Sequence, residues 1–273
     1  MLGNLVYLYL LSPLHTGGTT QEGNLLGIAR ESHTNLPYVP SSTVRGKFRS
    51  ITSEKTRNQL WGNTIDDVTG NGSDPNLTQG SLWIGDASIL WLPVPSLSHG
   101  VVWVSSPLLL QRWARLNGMN KKAPEAYNNN FAKGKPVYLK DAILKSKNLE
   151  DTSDLKQWIP QSTVGSIDRA LIRPDHHCAT LIQMSLWRQV KIKLDKHKTV
   201  DGGFRYEEAI PPDTLMYFPW GVTSQTNGQK TSDARTKFNQ ILADNAVVQI
   251  GGQESLGRGF VQQWSGFQQE VAV

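Results

Sequence analysis

A chain of 273 residues with 38% hydrophobic side chains is long enough to bury a full core as one elaborated domain. Its formal charge of +5 suits an anionic partner, and its single cysteine, Cys178, excludes an internal disulfide and fits a reducing cytoplasm. The apolar run 5–14 falls short of the roughly 20 residues that span a bilayer, and no basic leader precedes it, so a soluble intracellular chain without a membrane partner is expected.

In chain order, residues 5–11 read as a first strand near the centre of a sheet, ended by Pro13. Residues 15–24 follow as a polar loop. Ser41, Ser42 and Thr43 form an N-cap cluster ahead of a helix over 44–53, on which Arg45 and Arg49 share a face. A positive helix end beside hydroxyls is an anion-binding feature. Residues 63–79 read as a mobile excursion, with Asp66 and Asp67 as turn formers rather than metal ligands. Strand character returns over 82–94. Ser105, Ser106 and Pro107 cap a helix over 108–116, and the asparagine-rich stretch 117–135 is a loop or insertion. His176, His177 and Cys178 are adjacent and point in different directions, with no second pair at finger spacing, so no metal is expected there.

Charge is concentrated in two places. Residues 41–57 carry Arg45, Lys47, Arg49, Lys55 and Arg57 against Glu54, and residues 188–198 carry five basic residues against Asp195. The second lies in a hairpin spanning 189–208, where Val190, Lys191, Ile192, Lys193 and Leu194 alternate and Phe204 and Tyr206 resume extended character after Gly202 and Gly203. Its lysines fall on one face, with Phe204 or Tyr206 free to stack on a base. The same pattern also suits an edge hairpin whose lysines deter aggregation. A helix over 232–242 then feeds the apolar run 246–250.

That run opens into Gln249, Ile250, Gly251, Gly252, Gln253, Glu254, Ser255, Leu256, Gly257, Arg258, Gly259 and Phe260. A strand ending in so unobstructed a backbone can turn amides toward an anion, with Arg258 adding charge. It lacks the Gly-Lys-Ser/Thr close of a P-loop and the following helix of a dinucleotide site, which leaves a polymer backbone or a ligand-free turn. The order strand, helix, strand, helix, hairpin, helix, strand reads as an α+β, elaborated βαββαβ sandwich. It lacks the aromatic string of an ordinary RNA recognition motif, so contacts would come from loops.

These blocks resemble the backbone subunit of the Cmr-type (type III-B) CRISPR effector complex, within the repeat-associated mysterious protein (RAMP) superfamily. The resemblance rests on Ser12 to Gly17, on Leu36 to Arg49, on Leu92 to Leu97 with Val101 to Pro107, on Lys198 to Gly203 through Glu207, Glu208 and Pro211, and on Gly251 to Gly259. It implies one domain over 1–273: a ferredoxin-like (RRM-like) palm, inserted near 63–79 and 117–135, with a protruding thumb hairpin near 189–208. It further implies copies stacked head to tail along a guide RNA, engaging complementary target RNA alongside other effector subunits. The residues it assigns to RNA are His15, Gly17, Ser41, Ser42, Thr43, Arg45, Lys47, Arg49, Lys193, Lys196, Lys198, Thr199, Phe204, Gly251, Gly252, Ser255, Gly257, Arg258 and Gly259.

Members that cut target RNA carry an aspartate shortly before an Arg-Glu pair. Here Arg30 and Glu31 are present, but the aspartate position falls on Asn24 or Leu25, and Glu22 is the acidic substitute in that loop. The expectation is therefore RNA binding with slow or absent cleavage. Guide binding needs no cofactor, and Mg or Mn enters only if cleavage occurs. The alternatives are an active metal-dependent endoribonuclease cutting at regular intervals, through Glu22, Asp66 or Asp67, and a guide-processing ribonuclease with His15 as general base.

Overall fold

The computed structural model describes residues 4–22, 25–64, 77–163, 165–223 and 228–266. The strands are β1 (Asn4–Leu10), β2 (Gly17–Glu22), β3 (Leu25–Ile28), β4 (Tyr38–Val39), β5 (Leu82–Ile84), β6 (Ala87–Ser96), β7 (Gly100–Ser105), β8 (Asn128–Asn129) and β9 (Val137–Tyr138). They continue as β10 (Ile143–Leu144), β11 (Glu150–Asp151), β12 (Ala170–Ile172), β13 (Trp187–Leu194), β14 (Val200–Ala209), β15 (Leu215–Val222), β16 (Val247–Gln249) and β17 (Phe260–Gly266). The helices are α1 (Ser41–Ile51), α2 (Glu54–Trp61), α3 (Pro107–Leu116), α4 (Asp175–Ser185) and α5 (Gly228–Asp244).

One large sheet runs β11-β8-β12-β7-β6-β15-β1-β17-β16, and its centre, β6-β15-β1-β17, is antiparallel throughout. The alternation of β1 divides the core. Val6, Leu8 and Leu10 face α1 and α5, where Phe238 meets Phe48, Trp61 and Trp220 edge-on at 4.6–5.6 Å. Leu5 and Tyr7 face the other way, toward Trp113 on α3 and Trp158.

Several expectations change. The polar stretch 15–24, expected as a loop, contains the strand β2, because β2 pairs with β3 and β3 adds to β14, so its backbone groups are satisfied in a sheet. Helix α1 begins at Ser41 with Pro40 as its N-cap, so the hydroxyls occupy its first turn. Proline presets the entry, and the Ser41 amide donates to Asp86 Oδ1 at 2.6 Å. Gly85 and Asp86 divide the strand expected over 82–94. The Asn-rich stretch contributes β8, with Asn129 side-chain oxygen accepting from the Phe131 and Ala132 amides. The hairpin is not part of the central sheet. It belongs to a separate four-stranded sheet, β13-β14-β3-β2, and the core strand before α5 is β15. Most of 63–79, including Asp66 and Asp67, lies outside the described residues. Ser106 does cap α3, accepting from the Leu109 amide.

Candidate nucleic-acid interface

The end of β1 brings three loops together. Leu14 exchanges backbone hydrogen bonds with Ile210 at 2.9 and 2.8 Å, Gly259 donates to the Pro13 carbonyl at 2.9 Å, and Gly252 donates to the His15 carbonyl at 3.0 Å. Residues 13–15 are thereby held between the base of the β13–β14 ribbon and the glycine turn. Two of its glycines serve the chain itself. A Cβ on Gly259 would lie 1.9 Å from the Ile250 carbonyl oxygen, and one on Gly251 2.4 Å from that of His15, both at positive φ. Gly257, at φ +72°, meets nothing and is the open face of the turn, with Ser255 exposed beside it.

His15 is buried. Its Nδ1 lies 2.8 Å from the Glu208 carbonyl oxygen, which can only accept, so Nδ1 is the donor of that bond. Arg258 is also buried, at 4% exposure, donating to Gln189 Oε1 at 2.6 Å beside Glu207 at 3.5 Å. The expected free cation of the glycine turn is instead part of its internal bracing, because a buried guanidinium requires a counter-charge.

That counter-charge belongs to a pair that the family resemblance includes but assigns to no site. Glu207 and Glu208 are consecutive on β14, fully buried, and point to opposite faces. Glu207 accepts from Lys191 at 2.9 Å, Arg205 at 2.8 Å and Gln253 at 3.1 Å, and faces Arg258. It ties the ribbon to the glycine turn and neutralises Lys191 and Arg205, which stand directly opposite one another across the strands. Burial alone would raise its pKa, but the hydrogen bonds and charge of Lys191, with Gln253 and Arg205, hold it below the usual carboxylate range. Glu208 joins Arg30 at 2.7 Å and Arg188 at 3.0 Å. The signal was two adjacent acids on the strand that pairs with the cationic β13.

Beyond this base the ribbon stands clear of the core with two unlike faces. Val190, Ile192 and Leu194 pair with Tyr206, Phe204 and Val200 on one, all substantially exposed, with Ile192 at 51% and Phe204 at 47%. Lys191, Lys193 and Arg205 line the other, as the alternation implied. Lys193 meets Asp201 at 3.1 Å with its side chain 75% exposed. At the tip Asp195 accepts from the amides of His197 and Thr199 and from the Thr199 hydroxyl, so Thr199 shapes the turn while Lys196 and Lys198 are exposed.

Helix α1 is a separate feature. Arg45 donates to the Trp61 carbonyl and Arg49 to the Gly62 carbonyl, covering the C-terminal end of α2. Those guanidiniums are engaged within the fold; Ser42 and Thr43 remain at the helix start, Ser42 exposed, with Lys47 half-buried. Gly17 begins β2 and is exposed, with open space where a Cβ would stand.

The β2–β3 pair carries the position where cutting relatives are expected to hold an aspartate. Leu25 pairs with Tyr206 of the ribbon and with Glu22, while Asn24 lies outside the described residues. The acid that follows, Glu31, is engaged: it binds Arg112 at 2.5 and 3.2 Å and accepts from Thr34 at 2.5 Å. Desolvation would raise the Glu31 pKa, but these bonds hold it low. Cys178 sits in the core on α4, where burial pushes its thiol up to about 12, far from reactive.

The RAMP superfamily model matches residues 7–262, so the chain belongs to the RAMP superfamily. It is 29% identical over 285 residues to the CRISPR system Cmr endoribonuclease Cmr4 of Pyrococcus furiosus, covering 96% of this chain and 95% of that protein. The fold matches the crystal structure of oligomeric Cmr4 from Pyrococcus furiosus with a TM-score of 0.68 at 24% identity, over 96% of this chain and 97% of that one. A chain of the type III-B Cmr-beta complex bound to cognate target RNA matches with a TM-score of 0.73 at 18% identity, over 97% of both.

Proposed function

We propose that this chain is a guide-RNA-binding backbone subunit of a type III-B CRISPR effector complex, stacking along the guide and engaging complementary target RNA in the cytoplasm. The observation that carries it is the joining of the first-strand loop, the glycine turn and a two-faced ribbon in a chain similar to Cmr4 along its whole length. In this reading β1-α1-β6-β15-α5-β17 is a ferredoxin-like palm, supported by the strand order β6-β15-β1-β17, and β13–β14 is its thumb. The open backbone around Gly252, Ser255 and Gly257, the α1 start and Lys193, Lys196 and Lys198 contact phosphates, which are alike at every step, so binding is independent of sequence. Phe204 stacks beside a base. Arg45, Arg49, Arg258, Gly251, Gly259 and His15 act by shaping these loops. Repeated head-to-tail self-contacts build a filament along the RNA together with the other effector subunits. Expression with a CRISPR array should yield copurified RNA of discrete guide length; a preparation free of RNA would overturn the reading.

Cleavage of the target is slow or absent, because neither Asn24 nor Leu25 supplies a carboxylate and moving the acid to Glu22 displaces it by several ångströms. The second reading, a metal-dependent endoribonuclease, is favoured by the name of the 29%-identical relative. Guide-matched RNA incubated with Mg or Mn separates them: regularly spaced products that vanish in Glu22→Ala would establish the second. A guide precursor left uncut by the isolated chain would dispose of a processing role for His15.

A further inference from the structure

We propose that the corner of the central sheet between Tyr7, Trp264 and Lys156 is a second nucleotide-binding cleft. The space there is about 1000 Å³, at the upper end of small-ligand pockets. Its aromatic lining is the half-buried Trp264 over the buried rings of Tyr7 and Trp113, with the Tyr7 and Trp264 rings stacked at 5.6 Å and 24°. Lys156 and Gln161, both exposed, line the same cleft. An accessible indole in one cleft with a cation and an amide suits a planar base carrying a phosphate: the base stacks on Trp264, the amide reads its edge and the ammonium takes the charge.

The backbone is adapted to this opening. Gly266 lies flat against Tyr7, where a Cβ would come within 2.8 Å of the ring. The Tyr7 hydroxyl accepts from Trp113 Nε1 at 3.1 Å and keeps its own proton to donate. Burial, only partly offset by that bond, raises its pKa to about 12, so it remains neutral at working pH. Gly266 pairs with Leu5 and Val261 with Leu10, which puts the cleft about 17 Å along the strand from the glycine turn. It is therefore distinct from the interface described above.

The test is saturation-transfer NMR on the full chain with AMP, adenosine, inorganic phosphate and a short oligoadenylate. AMP should receive saturation mainly at its base protons. Trp264→Ala should abolish the signal for AMP and adenosine, while Lys156→Glu, a change at an exposed position, should weaken AMP at least fivefold and adenosine less than twofold. Competition tells the source: an oligoadenylate that displaces AMP at far lower concentration points to an unpaired nucleotide of an RNA strand, and the reverse order to a free nucleotide. No signal from AMP at millimolar concentration, or a signal unchanged in both variants, would overturn the proposal. So would binding that emerges only after removal of residues 267–273, since the occupant would then be the chain's own tail. Guide-RNA binding should be unaltered in both variants, which separates this proposal from the reading of the ribbon and glycine turn.

Discussion

At the scale of single residues, the glycine turn separates positions that the sequence presented alike. Gly259→Ala should cost at least about 2 kcal/mol, because the added carbon meets a backbone oxygen that cannot move aside. Gly257→Ala should cost about 1 kcal/mol, the penalty of its left-handed backbone alone; urea unfolding of the two variants measures the difference. Glu31 and Glu207 both have pKa values held below the usual range. Their contribution to stability is thus complete above the unfolded carboxylate pKa and is lost as pH falls through their lower folded values. Melting temperature should drop steeply there, and Glu207→Gln should be less stable at pH 7 yet lose less on acidification. The sequence marked which residue types could meet an anion, but not which of them already had partners. Arg258 reads as a free cation until the fold sets Glu207 beside it, a contact between residues far apart in the chain.

At the scale of elements, the ribbon was legible and its setting was not. Alternation over 190–194 gave the face carrying Lys191 and Lys193, since period two follows from strand geometry whatever the strand packs against. Its membership of a second sheet depends on pairing with β3, a four-residue run that follows a stretch whose Gly, Thr, Gln and Asn content mimics a loop. Strand β15 was hidden for a related reason: Pro219 lies inside it, paired with Leu5, whereas proline ordinarily argues against a central strand. Replacing Lys193, Lys196 and Lys198 with alanine should weaken RNA binding and leave stability within about 0.5 kcal/mol. The slope of log affinity against log salt should become shallower by about 0.7 for each phosphate that the variant no longer neutralises. The stretch between the Asn-rich insertion and α4 is anchored differently. Arg173 before α4 is buried, and it pairs with Asp141 at 2.5 Å. Asp141→Ala should therefore cost about 3–5 kcal/mol by stranding the guanidinium, seen as a lowered denaturation midpoint.

At the scale of the whole molecule, a sheet covered on both faces leaves its chemistry to loops and to the ribbon. Buried carboxylates brace these parts, and exposed lysines and an open glycine backbone are left for a ligand. Such a surface has charge without a pattern for reading bases. The most direct measurement is equilibrium binding of single-stranded RNAs of equal length and unrelated sequence across a salt series. Equal affinities that fall together as salt rises are expected, with more copies bound as the RNA lengthens. An absence of binding at low salt, or affinity that follows sequence and ignores salt, would contradict the account.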